Sequence, residues 1–295
     1  MRYVLMTEPQ QGMSYADHVA IARRAETNGF EAFLRSDHYA SFPGAPGQPT
    51  TDAWTVVAGL ARDTERIGLG VLVSPVTFRH PGALAKVVIT ADEMSGGRIE
   101  VGVGAGWNEL EGSLFRPRPV AVAGRPSTPV GGVRPRIIVG GSGSPRSYRL
   151  AARYADEFNL SSASPERAAE VGRLLDDACS AIGRDPATLT RSTMAGVLVG
   201  RTDAEVAARE RALLATFGQD AETGDAWLDE RRSRWVHGTP DAARAQVSHF
   251  AEAGIERVML QDFLPWDLDH VDVMGEELVG PPDHDSASAA SAASR

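Results

Sequence analysis

Short apolar runs alternate with stretches of helical period along nearly the whole chain. This alternation limits the fold more than any other feature of the sequence. Tyr3 to Met6, Phe30 to Ser36, Ile67 to Val73, Arg98 to Val103, Arg136 to Val139, Glu157 to Leu160, Ser192 to Val199 and Arg257 to Leu260 read as eight strands. The third is apolar or glycine throughout, as expected of a strand buried on both faces. Between them lie helical patterns over Tyr15 to Asn28, Asp52 to Thr64, Pro81 to Met94, Pro145 to Tyr154, Pro165 to Ile182, Asp203 to Phe217 and Pro240 to Ala253, with a last one over Leu268 to Leu278. Gly29 and Gly254 punctuate two of them, and prolines open four. A polar stretch with Trp227 and Trp235 follows the Asp203 helix.

Repeated βα units imply a parallel sheet, and eight of them can close into a barrel. An open doubly wound sheet is the alternative. The 295 residues favour closure, because (β/α)8 barrels typically run to about 250 residues. The expected fold class is therefore α/β, a (β/α)8 TIM barrel over residues 1–280. Residues 281–295, rich in Ser and Ala, are expected to form a disordered tail.

One connection departs from this plan. The stretch from Trp107 to Pro135, between strands four and five, carries five prolines from Pro117 to Pro135 and has no helical period. It reads as a long irregular active-site loop or as the scar of a deleted helix.

Composition excludes several function classes. A formal net charge of -9 and the absence of any Lys/Arg run argue against nucleic-acid binding. No apolar run approaches the ~20 residues of a membrane span, and no signal peptide is expected at the N-terminus. The single cysteine, Cys179, excludes an intrachain disulfide and fits a cytoplasmic, reducing compartment. It sits in a helical pattern and reads as a small buried residue. The chain has no HxH, HExxH, CxxC or GxSxG string, so no metal site and no hydrolase elbow is expected.

Barrel enzymes work at the C-terminal ends of their strands, so the residues just after each strand carry the functional reading. Strand two is followed by Asp37 and His38; an imidazole there can exchange a proton near neutral pH, and Asp37 either orients it or helps hold the barrel mouth. Strand three holds Gly70, Val71 and Ser74, small residues beside which a flat ring could approach the backbone. Strand four ends in a GxGxG string running into Trp107 and Asn108; alone, this is weak evidence for a nucleotide. Strand five ends in Gly140, Gly141, Ser142 and Gly143, then opens a helix at Pro145-Arg146. This is the best phosphate cradle in the chain, since a helix N-terminus favours an anion and Arg146 adds donors.

Taken together, Arg35-Ser36-Asp37-His38-Tyr39, Met94-Ser95-Gly96-Gly97-Arg98, Gly102 to Glu109, Ile137 to Gly143 and Ala151 to Asn159 resemble the luciferase-like monooxygenase superfamily, specifically its F420-dependent oxidoreductase class. The resemblance spans nearly everything except 107–135 and the tail. It implies a (β/α)8 barrel, usually a homodimer, with coenzyme F420 (alternatively FMN) lying across the mouth. It places a non-proline cis peptide at the end of strand three, near Gly70-Val71. It puts Asp37 and His38 beside the reactive ring carbon, Gly140, Gly141 and Ser142 on the cofactor phosphate, and Asn108 against the cofactor or in the pocket lining. Arg79 and Arg146 near the mouth favour F420, whose oligoglutamate tail is acidic. The implied activity is hydride transfer between the deazaflavin and a small organic substrate. The alternatives are an FMN-dependent monooxygenase and a truncated, non-catalytic barrel. The departure is again 107–135, where the family carries a long helix and a small insertion.

Overall fold

The computed structural model describes residues 1–42, 44, 47–108, 111 and 133–280. Strands β1 (Arg2–Thr7), β2 (Ala32–Arg35), β3 (Gly68–Pro75), β4 (Ile99–Gly104), β5 (Arg136–Gly141), β6 (Glu157–Ser161), β7 (Thr190–Val199) and β9 (Arg257–Asp262) pair in parallel and in that order. The ring closes because β9 also pairs with β1, Arg2 opposite Arg257 through Thr7 opposite Asp262. A three-residue strand, β8 (Val236–Gly238), adds to β7 outside the ring. The eighth barrel strand is thus the ninth in the chain. Helices α1 (Tyr15–Thr27), α2 (Ala53–Asp63), α3 (Pro81–Ser95), α4 (Pro145–Tyr154), α5 (Pro165–Ser180), α6 (Asp203–Thr216), α7 (Ala221–Arg232), α8 (Pro240–Glu252) and α9 (Leu268–Met274), with a 3-10 turn at Pro186–Thr188, complete the described elements. A short π turn, Gly275–Val279, ends them.

The alternation of side chains along each strand builds the interior in layers. At the N-terminal end Arg257, completely buried, donates to both oxygens of Glu100 (2.6 and 2.8 Å) and to Glu157 (3.1 Å) and Glu31 (2.6 Å). Above it lies an apolar layer of Val4, Met6, Ala32, Leu34, Leu72, Ile138 and Met259. At the C-terminal mouth the layer turns polar. Glu8 accepts from the amides of Gln10 (2.9 Å) and Gln261 (2.6 Å), and Ser36 donates to Gln10 (3.0 Å). The outward side chains form the larger core against the helices, with Trp54 of α2 buried and its indole N–H bonded to Ser74 (2.9 Å).

Helix α7 and strand β8 were not legible as elements in the sequence. They are held by a separate cluster of Leu198, Leu213, Leu228 and Trp235, edged by Phe217, Trp227 and Phe263. The tail expected over 281–295 lies outside the described residues, as does most of the unusual 107–135 connection.

Candidate active site at the barrel mouth

His38 lies three residues beyond the end of β2. Its Nδ1 lies 2.8 Å from Glu111, a carboxylate almost wholly buried. The other oxygen of Glu111 accepts the backbone N–H groups of Tyr39 (2.6 Å) and Ala40 (2.8 Å). An ionised carboxylate only accepts, so Nδ1 is the donor in this pair. The imidazole meets Phe42 edge-on at 4.5 Å and Trp107 at 5.7 Å, and its side chain is 13% exposed.

Asp37 does not orient His38. It forms a two-point ion pair with Arg79, which also donates to Asp52 (2.7 Å) and to the Tyr39 hydroxyl (2.7 Å). Burial pushes the Asp37 carboxyl up, and Arg79 opposes that push. Burial acts upward on Asp52 as well, but bonds from Thr55, Arg79 and Tyr39 together hold it far below the ordinary carboxylate range. Arg79 is therefore consumed in bracing the mouth and is not a free cation for an acidic cofactor tail.

The strand-three residues also move. Gly70 sits in the ladder, where a Cβ would collide with the Glu100 carbonyl; Val71 is fully buried in the core behind the sheet. Ser74 is buried too, facing Trp54. The non-proline cis peptide expected near Gly70-Val71 lies two bonds further along the same strand, between Leu72 and Val73. The pairing register with β4 shifts between Val71 and Ser74, and Leu72 and Val73 both join the interior layer. Val73, not Val71, is the floor of the mouth. A Cβ on Gly104 or on Gly140 would stand 2.7 Å from a Val73 methyl. The ends of β4 and β5 thus carry glycine where they flank Val73, and the missing side chains leave room for its two methyls.

Asn108 accepts the backbone N–H of Glu111 at 3.3 Å and so helps to position that carboxylate. After β5, Gly143 takes a left-handed φ of 92°, and Ser144 and Ser147 cap α4 reciprocally (2.8 and 3.2 Å). That box occupies two donors of the helix end. Ser142 and Arg146 remain exposed beside Gly141, where a Cβ would meet open space. Gly140, Gly141, Ser142 and Arg146 thus lie along the passage from β5 into α4, while Trp107, after β4, meets His38.

Two further observations bear on the site. A concavity of about 780 Å³ lined by Arg98, Glu100, Arg134 and Arg136 lies at the N-terminal end of the barrel, away from His38. That end of such barrels serves stability, so the mouth is retained as the candidate site. Among the described residues no cluster of three or more metal-ligating side chains occurs, and no helix is long and apolar enough to cross a membrane.

The model of the luciferase-like monooxygenase family matches residues 1–119 and 108–257. The chain belongs to this family. The two matched segments meet within the proline-rich connection after β4. Among curated relatives, an F420-dependent glucose-6-phosphate dehydrogenase of Nakamurella multipartita is 32% identical over 187 residues, 50% of this chain and 52% of that protein. The chain spans about a third to a little over half of the length of the curated relatives it matches. Among solved structures, the coenzyme F420 dependent tetrahydromethanopterin reductase of Methanopyrus kandleri superposes with a TM-score of 0.73 at 16% identity, covering 94% of this chain and 98% of that one. A riboflavin lyase with modified FMN does so with 0.71 at 14% identity, covering 95% and 90%. These likenesses show the shared barrel fold. An F420-dependent enzyme thus stands among the curated relatives and another among the solved structures that resemble the chain, and a third protein of the same fold holds a modified FMN.

Proposed function

We propose that this luciferase-like barrel is an F420-dependent oxidoreductase acting on a small organic substrate. The observation that carries the reading is His38. It stands at the end of β2 in a partly buried aromatic corner, its Nδ1 fixed by the buried Glu111 and its Nε2 left to act. When bound, the deazaflavin supplies or accepts the hydride. His38 would give a proton to the substrate oxygen in the reducing direction and take it back in the other. Gly104, Gly140 and Val73 would support the ring, and Gly141, Ser142 and Arg146 the phosphate. Glu111 would hold the imidazole tautomer, and the Asp37–Arg79–Asp52 network would keep the β2 end rigid. The same reading takes a homodimer as the working form, which light scattering of the purified chain tests.

Titration of the purified chain with F420, and in parallel with FMN, followed by cofactor fluorescence, tests the assignment. Saturable micromolar binding of F420 alone supports it. Preference for FMN moves the chain to the monooxygenase branch. Binding of neither by a folded chain refutes the cofactor reading and favours a non-catalytic barrel.

A further inference from the structure

Trp107 is 71% exposed, although it stands beside the candidate catalytic histidine. Its ring meets Phe42 at 5.2 Å and His38 at 5.7 Å, both edge-on, and Phe42 meets His38 at 4.5 Å. Three rings thus form an open corner, and most of the indole surface faces no part of the described chain. Aromatic rings placed edge-on present a site for a further ring or apolar group. Phe42 is fixed in turn: its carbonyl accepts from Gln10 at 3.1 Å, and Gln10 is locked to Glu8 and Ser36.

The charges around this corner are already spent on one another. Arg79 is paired with Asp37 and Asp52, Glu111 with His38 and two backbone N–H groups, and Glu8 with the amides of Gln10 and Gln261. Among the described residues the charged groups beside these rings are thus paired with one another, and what the corner leaves open is apolar faces and one imidazole. A substrate bearing an unmatched anion would lose its hydration there without compensation.

We infer that Trp107 is a specificity-determining residue, and that the corner it forms with Phe42 takes the apolar or aromatic part of a neutral alcohol or carbonyl substrate. This rests on the proposed function for the role of His38 and goes beyond it in naming the substrate class. It sets this chain apart from a sugar-phosphate dehydrogenase built on the same barrel.

The test is direct binding to the full chain, without any requirement for turnover. Acetophenone and glucose 6-phosphate serve as the neutral aryl and anionic probes, each followed by saturation-transfer NMR and by quenching of indole fluorescence. The fluorescence of W107F is subtracted to isolate Trp107. Acetophenone is expected to bind saturably and to contact Trp107. W107A should weaken it roughly tenfold, and W107F should retain most of the affinity. Glucose 6-phosphate should bind at least tenfold more weakly than acetophenone. Equal affinity of W107A and the unaltered chain for acetophenone, or preference for glucose 6-phosphate, overturns the inference. Where F420 turnover is obtained, W107A should raise KM with kcat nearly unchanged, the mark of a binding residue; a fall in kcat alone counts against it. The two readings separate cleanly. Acetophenone binding that depends on Trp107, in a chain that ignores F420, keeps the corner and removes the redox assignment. F420 binding with acetophenone affinity indifferent to Trp107 does the reverse.

Discussion

Replacing Arg257 with methionine should destabilise the barrel severely, and in a manner that reverses with pH. Arg257 has no exposed surface and makes four hydrogen bonds to three carboxylates. Methionine fills most of its volume but leaves Glu100 buried without its cation and Glu157 with Arg136 alone. Removing one partner of a buried ion pair costs about 3–5 kcal/mol, a large share of the roughly 5–15 kcal/mol that holds a domain together. With an unfolding entropy of about 2.1 cal/mol/K per residue, that loss lowers Tm by roughly 5–8 °C. Burial already pushes the Glu100 carboxyl above its ordinary value, with the Arg257 charge opposing it. Without Arg257 it rises further, so the folded variant holds protons that the unfolded chain releases. Its stability should then fall as pH rises through the unfolded carboxylate range, and the gap from the unaltered chain should be widest at neutral pH and narrow towards pH 5. R257K should recover only part of the loss, since an ammonium cannot make the two-point contact with Glu100. Differential scanning calorimetry at pH 5 and pH 7.5 measures both effects. An R257M Tm within 2 °C of the parent, or a gap independent of pH, would refute the claim that this arginine neutralises buried carboxylates.

His18 gives a second pH signature. It is fully buried, accepts at Nε2 from Arg35 (3.2 Å) and donates from Nδ1 to the Ser14 carbonyl (2.7 Å). Burial first, and the Arg35 charge second, pull its pKa from 6.5 down to about 4. The unfolded chain therefore takes up a proton through that window while the folded chain refuses it, so stability should drop by roughly 3 kcal/mol as pH falls from 6.5 towards 4. Urea midpoints of H18N should show a shallower fall; an unchanged slope would locate the effect elsewhere. E111Q should lower kcat by about 100-fold and displace the pH–rate profile, leaving the F420 Kd nearly unchanged; a profile identical to the parent's would reduce Glu111 to a backbone clip. G140A should weaken F420 binding by tenfold or more, because its Cβ would stand 2.7 Å from a Val73 methyl, and V73A should partly restore it. Failure of the second change to rescue the first would show that Val73 is not the floor.

The barrel was legible because a parallel strand buried on both faces leaves a short apolar run, continuous in β3 and broken by a few polar residues in the others, that stands clear of the intervening helical periods. Strand β8 was not, because three residues carry no periodicity. Helix α7 was hidden because its sequence is mostly polar and acidic, with only Trp227 and Leu228 supplying large apolar side chains. Its position is set by an aromatic cluster assembled from α6, α7, β8 and the loop after β9, and tertiary packing of that kind overrides local pattern.

The site divides along the same line. His38 could be found because its position is a property of one strand end. Its true partner could not, because Glu111 lies 73 residues away, within the proline-rich connection. Asp37, its neighbour in sequence, belongs instead to Arg79. The displacement of the mouth floor from Val71 to Val73 has the same origin. Alternation assigns a face to each residue only while the register holds, and it shifts between Val71 and Ser74. What the sequence did contain was the ordering of strands. Because β3 stands between β2 and β4, the segment leaving β4 is the one able to reach over β3 to a histidine at the end of β2. The carboxylates just beyond the GxGxG string were therefore the residues to test as its partner. On that argument the connection after β4 is a working part of the mouth at its first turn, whatever its proline-rich remainder does. An E111A chain should lose the orientation of His38 even if residues further along that connection are replaced without effect.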